Sequence, residues 1–302
     1  ERVASRALSV LVGACGVRAA LPFLGLGRTS DAVWTGGERI SALGQNANSA
    51  AMILAAGLVT LIGLTLLRRR KSTGGLVLAG LLAVLLGMAV LETGSRGGFA
   101  ALLGGVLVFA LAADTWRQRL RNGAIALVAV VLLALATFRL PMMKNRLVES
   151  ITTGNMAGRE QLYPALWSMF LERPVFGWGP ITNTSELALR IGERERASRA
   201  AHNLVLELLT ATGLVGALPF FLGVWFSVRN AWRARTGMHG ALPLALLCTL
   251  FIANMSGDWI ASKLLWLVLA YAFVSVRWTA ASRQRVSIER LIMSFASVKS
   301  GR

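Results

Sequence analysis

Residues 47–67, ANSAAMILAAGLVTLIGLTLL, contain no charged side chain, and four basic residues, Arg68-Arg69-Arg70-Lys71, follow them directly. An α-helix needs about 20 apolar residues to cross the hydrocarbon core of a bilayer, so this stretch is long enough. Lys and Arg collect on the cytoplasmic side of membrane spans. The stretch therefore predicts a membrane helix that ends at the cytoplasmic face.

Five further runs of the chain carry no charge, namely 72–91, 97–113, 122–138, 208–228 and 236–257. Only 15% of the 302 residues are charged, compared with about 25% in a soluble domain. Backbone groups inside hydrocarbon must bond within their own segment, so such runs cross as helices. The sequence predicts an all-α, polytopic transmembrane helical bundle with about eight membrane segments. They are predicted at 7–27, 47–67, 74–91, 97–113, 122–138, 203–228, 240–256 and 259–276.

The net charge of +18 has two explanations. A basic chain can bind nucleic acid, or its Lys and Arg can be held on the cytoplasmic side of a membrane. With alternate loops on opposite sides, eighteen basic and three acidic residues share the side of residues 68–71, and thirteen basic and ten acidic residues lie opposite. The excess charge follows topology, which argues against a nucleic-acid partner and predicts that both termini are cytoplasmic.

These segments divide the chain into four regions. Residues 1–138 hold the N-terminal membrane segments, 139–201 form a cap loop on the outer side, 202–277 hold the C-terminal membrane segments, and 278–302 are a basic cytoplasmic tail. Because residue 1 is Glu rather than Met, we expect the natural N-terminus to lie upstream.

The cap loop is too long for a simple connection and is predicted to be partly helical. Leu162, Leu166 and Met169 follow helical spacing in 159–173, and Pro174 ends that segment. A tight turn is predicted at 176–180, and a second, polar helix at 185–200.

Ser95-Arg96-Gly97-Gly98 opens the predicted membrane helix 97–113 at its outer end. Ser95 can cap the helix, and a helix N-terminus beside an arginine attracts anions. Phosphate is the expected ligand class, because Arg grips it through two parallel hydrogen bonds. The alternative is that Arg96 pairs with Glu92 while nearby glycines let helices pack closely. The spacing alone leaves both interpretations open.

Gly158-Arg159 begins the predicted cap helix. An arginine at a helix N-terminus opposes the helix dipole, and an anionic ligand would explain its placement. A solvated surface arginine is the alternative.

Ala201-His202-Asn203 marks the point where the cap is predicted to re-enter the membrane, with Glu207 one helical turn later. His202 is a candidate general base, and Asn203 and Glu207 are candidates to orient its ring. A purely structural, hydrogen-bonding histidine is the alternative. No Asp, His or Cys cluster has metal-ligand spacing, so neither a metal nor a cofactor is predicted.

Several short motifs follow one another in an order that resembles the bacterial O-antigen ligase and O-antigen polymerase superfamily. They are Gln45-Asn46-Ala47-Asn48, Ser95-Arg96-Gly97-Gly98, Gly158-Arg159 with Trp167, Pro174-Val175-Phe176-Gly177-Trp178-Gly179, and His202-Asn203-Leu204 with Gly213 and Gly216. The resemblance covers residues 45–228.

The resemblance implies a GT-C type membrane glycosyltransferase in the bacterial inner membrane, with its active site facing the periplasm. It implies transfer of a glycan from an undecaprenyl-pyrophosphate carrier to lipid A–core in lipopolysaccharide biosynthesis. Arg96 and Arg159, with Ser95 and Gly97, would bind the donor pyrophosphate, and His202 would act at the acceptor. Related activities of the superfamily are polymerisation of O-antigen or exopolysaccharide and transfer of oligosaccharide to protein.

A transporter for an anionic lipid is the alternative from another class of protein. It would use the same arginines without making a bond. Transporters typically carry related halves and broken helices near mid-membrane, and the sequence has no repeat. The candidate residues also lie at one predicted face, which favours the enzyme.

Overall fold

The computed structural model of the protein describes residues 2–26, 28–30, 40–42, 46–67, 72–113, 115–139, 158–193, 198–237, 239–257 and 260–278, with a few residues between 144 and 154. The predicted basic loop 68–71, most of 140–157 and the tail beyond 278 lie outside the described residues.

The described part is mostly helical. In chain order it contains α1 (Arg2–Phe23), β1 (Arg28–Ser30), β2 (Ile40–Ala42), α2 (Ala47–Leu67), α3 (Thr73–Glu92), α4 (Arg96–Leu111), α5 (Trp116–Arg139), α6 (Arg159–Glu172), α7 (Pro180–Arg190), α8 (Leu204–Ala234) and α9 (Leu242–Asn254). A further helix, α10, covers 263–278. The antiparallel pair β1–β2 departs from the all-α prediction, and its β-branched Thr29 and Ile40 suit a strand.

Five of the described helices, α1, α2, α3, α5 and α8, are long and apolar enough to cross a membrane. The prediction of a helical membrane protein is confirmed, but the described residues contain five candidate spans rather than the eight that were predicted. The reason is length: α4 and α9 are apolar but have only 16 and 13 residues, and α10, at the predicted segment 259–276, has 16, whereas a span needs about 20. Helix α9 is largely buried in the bundle, whereas α4 also carries the exposed side chains of Leu107 and Leu111.

The bundle core forms around α4 and α9, which pack on each other and on α2. Gly104 and Gly105 of α4 face Ile252 and Thr249 of α9 at distances that leave no room for a Cβ. Small residues let membrane helices approach closely and gain dispersion contacts. The close-packing explanation for these two glycines therefore agrees with their surroundings.

The cap has a small core of its own. Leu162, Leu166 and Met169 on one face of α6 pack with Leu187 of α7 and with Leu206 of α8. The predicted helix at 159–173 is thus observed, one residue shorter.

The second cap helix was predicted at 185–200, and this position is wrong. The helix starts at Pro180 and ends at Arg190, because proline is favoured in a first helical turn and Gly192, with φ of 78°, provides the left-handed residue that commonly ends a helix.

Helix α8 is interrupted at Gly213, where φ is 61° and ψ is −164°. The loop 174–179 between α6 and α7, here called the cap turn, pairs with the backbone on both sides of this break. The pairing consists of four amide-to-carbonyl hydrogen bonds: Trp178 to Thr210 (2.8 Å), Gly179 to Ala211 (2.9 Å), Leu214 to Pro174 (2.8 Å) and Val215 to Val175 (3.1 Å). The cap is therefore joined to α8 by main-chain bonds as well as by its apolar core.

Candidate active site at one end of the bundle

The turn after α9, residues 255–257, lies where several of the predicted motifs meet. The Ser256 amide and hydroxyl both donate to the carbonyl of Ala253, at 3.1 and 3.0 Å. These bonds hold the main chain in a tight turn directly after the helix, and the Ser256 carbonyl remains available to other segments.

The N-terminus of α4 contacts this turn. Ser95 is buried and its Oγ accepts a hydrogen bond from the Gly98 amide at 3.1 Å, so Ser95 caps the helix as expected of that residue type. Gly97 lies so close to the Ser256 side chain that a Cβ would overlap it. Arg96, the first residue of α4, therefore directly precedes the residue that contacts Ser256.

The N-terminus of α6 contacts the same turn from the cap. Arg159 Nη2 donates to the Ser256 carbonyl at 3.2 Å, and the Tyr163 hydroxyl donates to the Met255 carbonyl at 3.0 Å. The segments that carry Arg96 and Arg159 are distant in sequence, yet both contact Ser256.

His202 lines a cavity of about 420 Å³ that also reaches Ser256. The remaining lining residues are mostly amides and hydroxyls: Asn46, Asn48, Ser49, Gly257, Ala261 and Ser262. Of the described side chains that line the cavity, His202 is the one with a ring nitrogen able to accept a proton near neutral pH.

The backbone of His202 has φ of 52°, the left-handed region, which is uncommon outside glycine. Among described residues it is the one non-glycine residue there. Such conformations cluster at functional sites, and histidine tolerates the region better than most residues. This conformation places the residue directly before the first turn of α8.

Asn203 caps α8. Its Oδ1 accepts hydrogen bonds from the amides of Val205 and Leu206, at 3.0 and 3.2 Å. This capping uses the side-chain oxygen of Asn203, one of the two residues predicted to orient the His202 ring. Glu207 lies in the first turn of α8 and is partly buried, a position in which a carboxylate is stabilised by the helix dipole.

Ser256 and Arg199 were not singled out from the sequence. The signal for Ser256 was the polar tripeptide Ser256-Gly257-Asp258 that ends an apolar run; Asp258 itself lies outside the described residues. Arg199 Nη2 lies 4.0 Å from the position of a Cβ on Gly158, and its Nη1 is 3.5 Å from Glu193 Oε1. It adds a second guanidinium near the N-terminus of α6.

His202 and Ser256 line the polar cavity, and the N-termini of α4 and α6 both contact Ser256. The exposed amides of a helix N-terminus attract negative charge, and guanidinium groups neutralise phosphate oxygens. Within the described part of the chain, no three His, Cys, Asp or Glu side chains are grouped so as to hold a metal ion.

Comparison with known proteins gives one family. Residues 81–221 match the model of the O-antigen ligase family. The match includes Ser95, Arg96, Arg159, His202 and the break at Gly213, and it ends before Ser256. No curated protein matches the chain.

Proposed function

We propose that this protein, a member of the O-antigen ligase superfamily, transfers a glycan from an undecaprenyl-pyrophosphate carrier to a hydroxyl of lipid A–core at the periplasmic face. Members of the family are membrane glycosyltransferase-like enzymes, either ligases or polymerases. The observation that carries the proposal is the meeting of the segments of Arg96, Arg159 and His202 around Ser256.

Donor binding is assigned to Arg96 and Arg159, with Ser95 and Gly97 shaping the start of α4. A pyrophosphate has two phosphates, and each arginine can hold one through bidentate hydrogen bonds. Positive groups fixed in advance stabilise the charge that develops on the leaving pyrophosphate. The transfer therefore requires no metal ion for this step.

Acceptor activation is assigned to His202. Its ring takes the proton of the acceptor hydroxyl while the hydroxyl oxygen bonds to the anomeric carbon of the donor. The bond from that carbon to the pyrophosphate oxygen breaks, and the carrier pyrophosphate leaves with the electron pair. A single displacement of this kind inverts the anomeric configuration.

The polar cavity beside His202 suits a sugar. Asn48, Ser49 and Ser262 offer amide and hydroxyl groups that can exchange hydrogen bonds with glycan hydroxyls. In this assignment Asn203 positions His202 by capping the helix that follows it, and Glu207 contributes negative charge at the same helix start.

Arg96→Lys and Arg159→Lys are each expected to lower kcat/KM for transfer from the lipid-linked donor by about 10- to 100-fold, because a lost bidentate charge-assisted bond is worth about 1.5–3 kcal/mol. The measurement is transfer by purified protein in detergent with synthetic donor. Arg229→Lys, an exposed arginine at the opposite end of α8, is the control and should keep its activity. Full activity in both lysine variants would contradict the donor assignment.

The orientation of the site is tested by labelling single cysteines on intact cells with a membrane-impermeant maleimide, in a chain whose Cys15 and Cys248 are replaced by alanine. Leu189→Cys in the cap should react and Arg117→Cys at the start of α5 should not, because the basic loops are expected in the cytoplasm. Reaction at Arg117→Cys without reaction at Leu189→Cys would show the opposite topology and would contradict the placement of the active site in the periplasm.

Lipopolysaccharide from a deletion strain separates the activities within the superfamily. A ligase is expected to leave polymer on the carrier lipid while long-chain polymer on lipid A–core is lost. Single repeat units on lipid A–core would instead indicate a polymerase, and unchanged lipopolysaccharide with loss of glycan from proteins would indicate a protein oligosaccharyltransferase. Movement of donor lipid across vesicles without transfer would indicate a transporter.

A further inference from the structure

The cap turn exposes apolar side chains beside the break in α8. Phe176 is 74% exposed and Val175 is also exposed, although the Val175 carbonyl bonds the Val215 amide of α8 at 3.1 Å. Trp167 and Leu171, one helical turn apart on α6, are exposed as well. Residues 167, 171, 175 and 176 are here called the interfacial patch.

The patch continues the outward-facing surface of α8. Directly after the break, Leu214, Val215 and Leu218 are exposed, and α8 is a candidate membrane span. On a membrane helix such residues face lipid. The Val215–Val175 hydrogen bond fixes the cap turn at the same depth as the first of these residues.

The length of α8 sets that depth. The charge-free part of the helix after Gly213, residues 214–228, rises about 22 Å at 1.5 Å per residue, which is less than the hydrocarbon core of about 30 Å. Counted outward from Arg229, Gly213 therefore lies in the outer part of the hydrocarbon, and Phe176, whose amide nitrogen is 2.6 Å from the position of a Cβ on Gly213, lies at the same level.

The surroundings of the patch have the chemistry of a membrane interface. The guanidinium of Arg173 lies 4.0 Å from the ring centroid of Trp178, and that of Arg190 lies 5.1 Å from it. Trp is enriched where hydrocarbon meets headgroups, and Arg can anchor a segment at the same level. Next to Leu171 on α6, Glu172 is held by Arg190 at 2.6 Å, and this pairing lowers the pKa of the Glu172 carboxyl, so the border of the patch stays charged.

We propose that the interfacial patch inserts into the bilayer leaflet on the cap side, so that the cap is docked on lipid as well as on α8. The bound partner is the headgroup and upper acyl-chain region of phospholipid. This inference depends on α8 crossing the membrane and is independent of the proposed reaction.

The test uses nitroxide labels on single cysteines in the Cys15→Ala, Cys248→Ala chain, reconstituted into vesicles of phosphatidylethanolamine and phosphatidylglycerol. For each label we compare its collision rate with oxygen, which dissolves in lipid, to its collision rate with a water-soluble nickel chelate. This ratio should be severalfold higher at Phe176→Cys than at Leu189→Cys. Leu189 is the matched control because it is an exposed apolar residue of the same cap, 60% accessible, next to the charged Arg190.

Two results at position 176 would overturn the proposal. Free access of the nickel chelate would mean that the patch faces water. Exclusion of both oxygen and the chelate would mean that a protein surface, such as a second copy of the chain, covers it.

The unmodified chain provides a second measurement, which does not depend on the cysteine variants folding. A phospholipid that carries a diazirine in its upper acyl chain should label residues 175 and 176 on illumination in the same vesicles, with the label located by mass spectrometry. Labelling of α8 at residues 214–218 without labelling of 175–176 would contradict insertion.

Discussion

His202→Ala is expected to slow glycan transfer by about a hundred- to ten-thousand-fold, the usual contribution of a general base, while donor binding stays near its normal value. The physical reason is the division of roles proposed for the site: Arg96 and Arg159 hold the pyrophosphate, and the His202 ring removes the acceptor proton. The measurement is the single-turnover rate at saturating donor, together with the donor Kd of the variant.

The backbone of His202 requires a matched control. At φ of 52° alanine pays a strain cost that would weaken the start of α8, whereas asparagine adopts this region readily. His202→Asn should therefore be as stable as the parent chain and as slow as the alanine variant.

The dependence of the rate on donor concentration decides whether His202 acts as the base or only contacts the donor. If saturating donor restores the rate of His202→Asn, the histidine binds the donor, and the base must be sought at Glu207 or Asp258. A slow rate at saturating donor in both variants is the result that the base assignment requires.

Gly213→Ala is expected to destabilise the protein by about 3 kcal/mol or more, since the conformation at φ 61°, ψ −164° is essentially restricted to glycine and strain of this kind costs about 1–3 kcal/mol. An added Cβ also overlaps the main chain at Val175 and Phe176, which forces the cap turn away from α8. We expect poor yield and a markedly lower Tm in detergent.

Gly177→Ala should also destabilise the protein, because Gly177 belongs to the cap turn that pairs with the break in α8. Its φ is 71°, and a Cβ there would lie 2.6 Å from the Thr210 carbonyl oxygen. Gly223→Ala is the control on the same helix, because nothing lies within 4 Å of its Cβ position and alanine favours helix by up to about 1 kcal/mol. Equal Tm values for the variants at 213 and 223 would show that the break is not required.

The membrane helices could be predicted because a charge-free run of about 20 residues rarely forms any structure other than a membrane helix. The ends of α2 and α3 were located to within one residue, since Arg68 follows α2 and charged residues bound the run of α3 on both sides. The shortness of α9 could not be foreseen. Its run extends from 236 to 257 without charge, and it is the turns around Gly240 and Ser256 that confine the helix to 13 residues.

The candidate site was predictable residue by residue but not as an arrangement. Helix-start chemistry singled out Ser95, Arg96 and Arg159, and membrane depth singled out Glu207. Nothing in the spacing of these residues indicates that Ser256 would lie between them, because that contact depends on how α4, α6 and α9 pack. The capping role of Asn203 was likewise hidden, since an asparagine before a helix suits both capping and ring orientation.

The break in α8 also constrains the order in which the chain can be assembled. Residues 174–179 leave the ribosome before Gly213, so the main-chain partners of the break exist before the interrupted helix is complete. If α8 kept its break without these partners, the amides and carbonyls beside Gly213 would be unpaired in hydrocarbon, where each costs several kcal/mol. We therefore expect the break in α8 to form together with the cap turn and not before it.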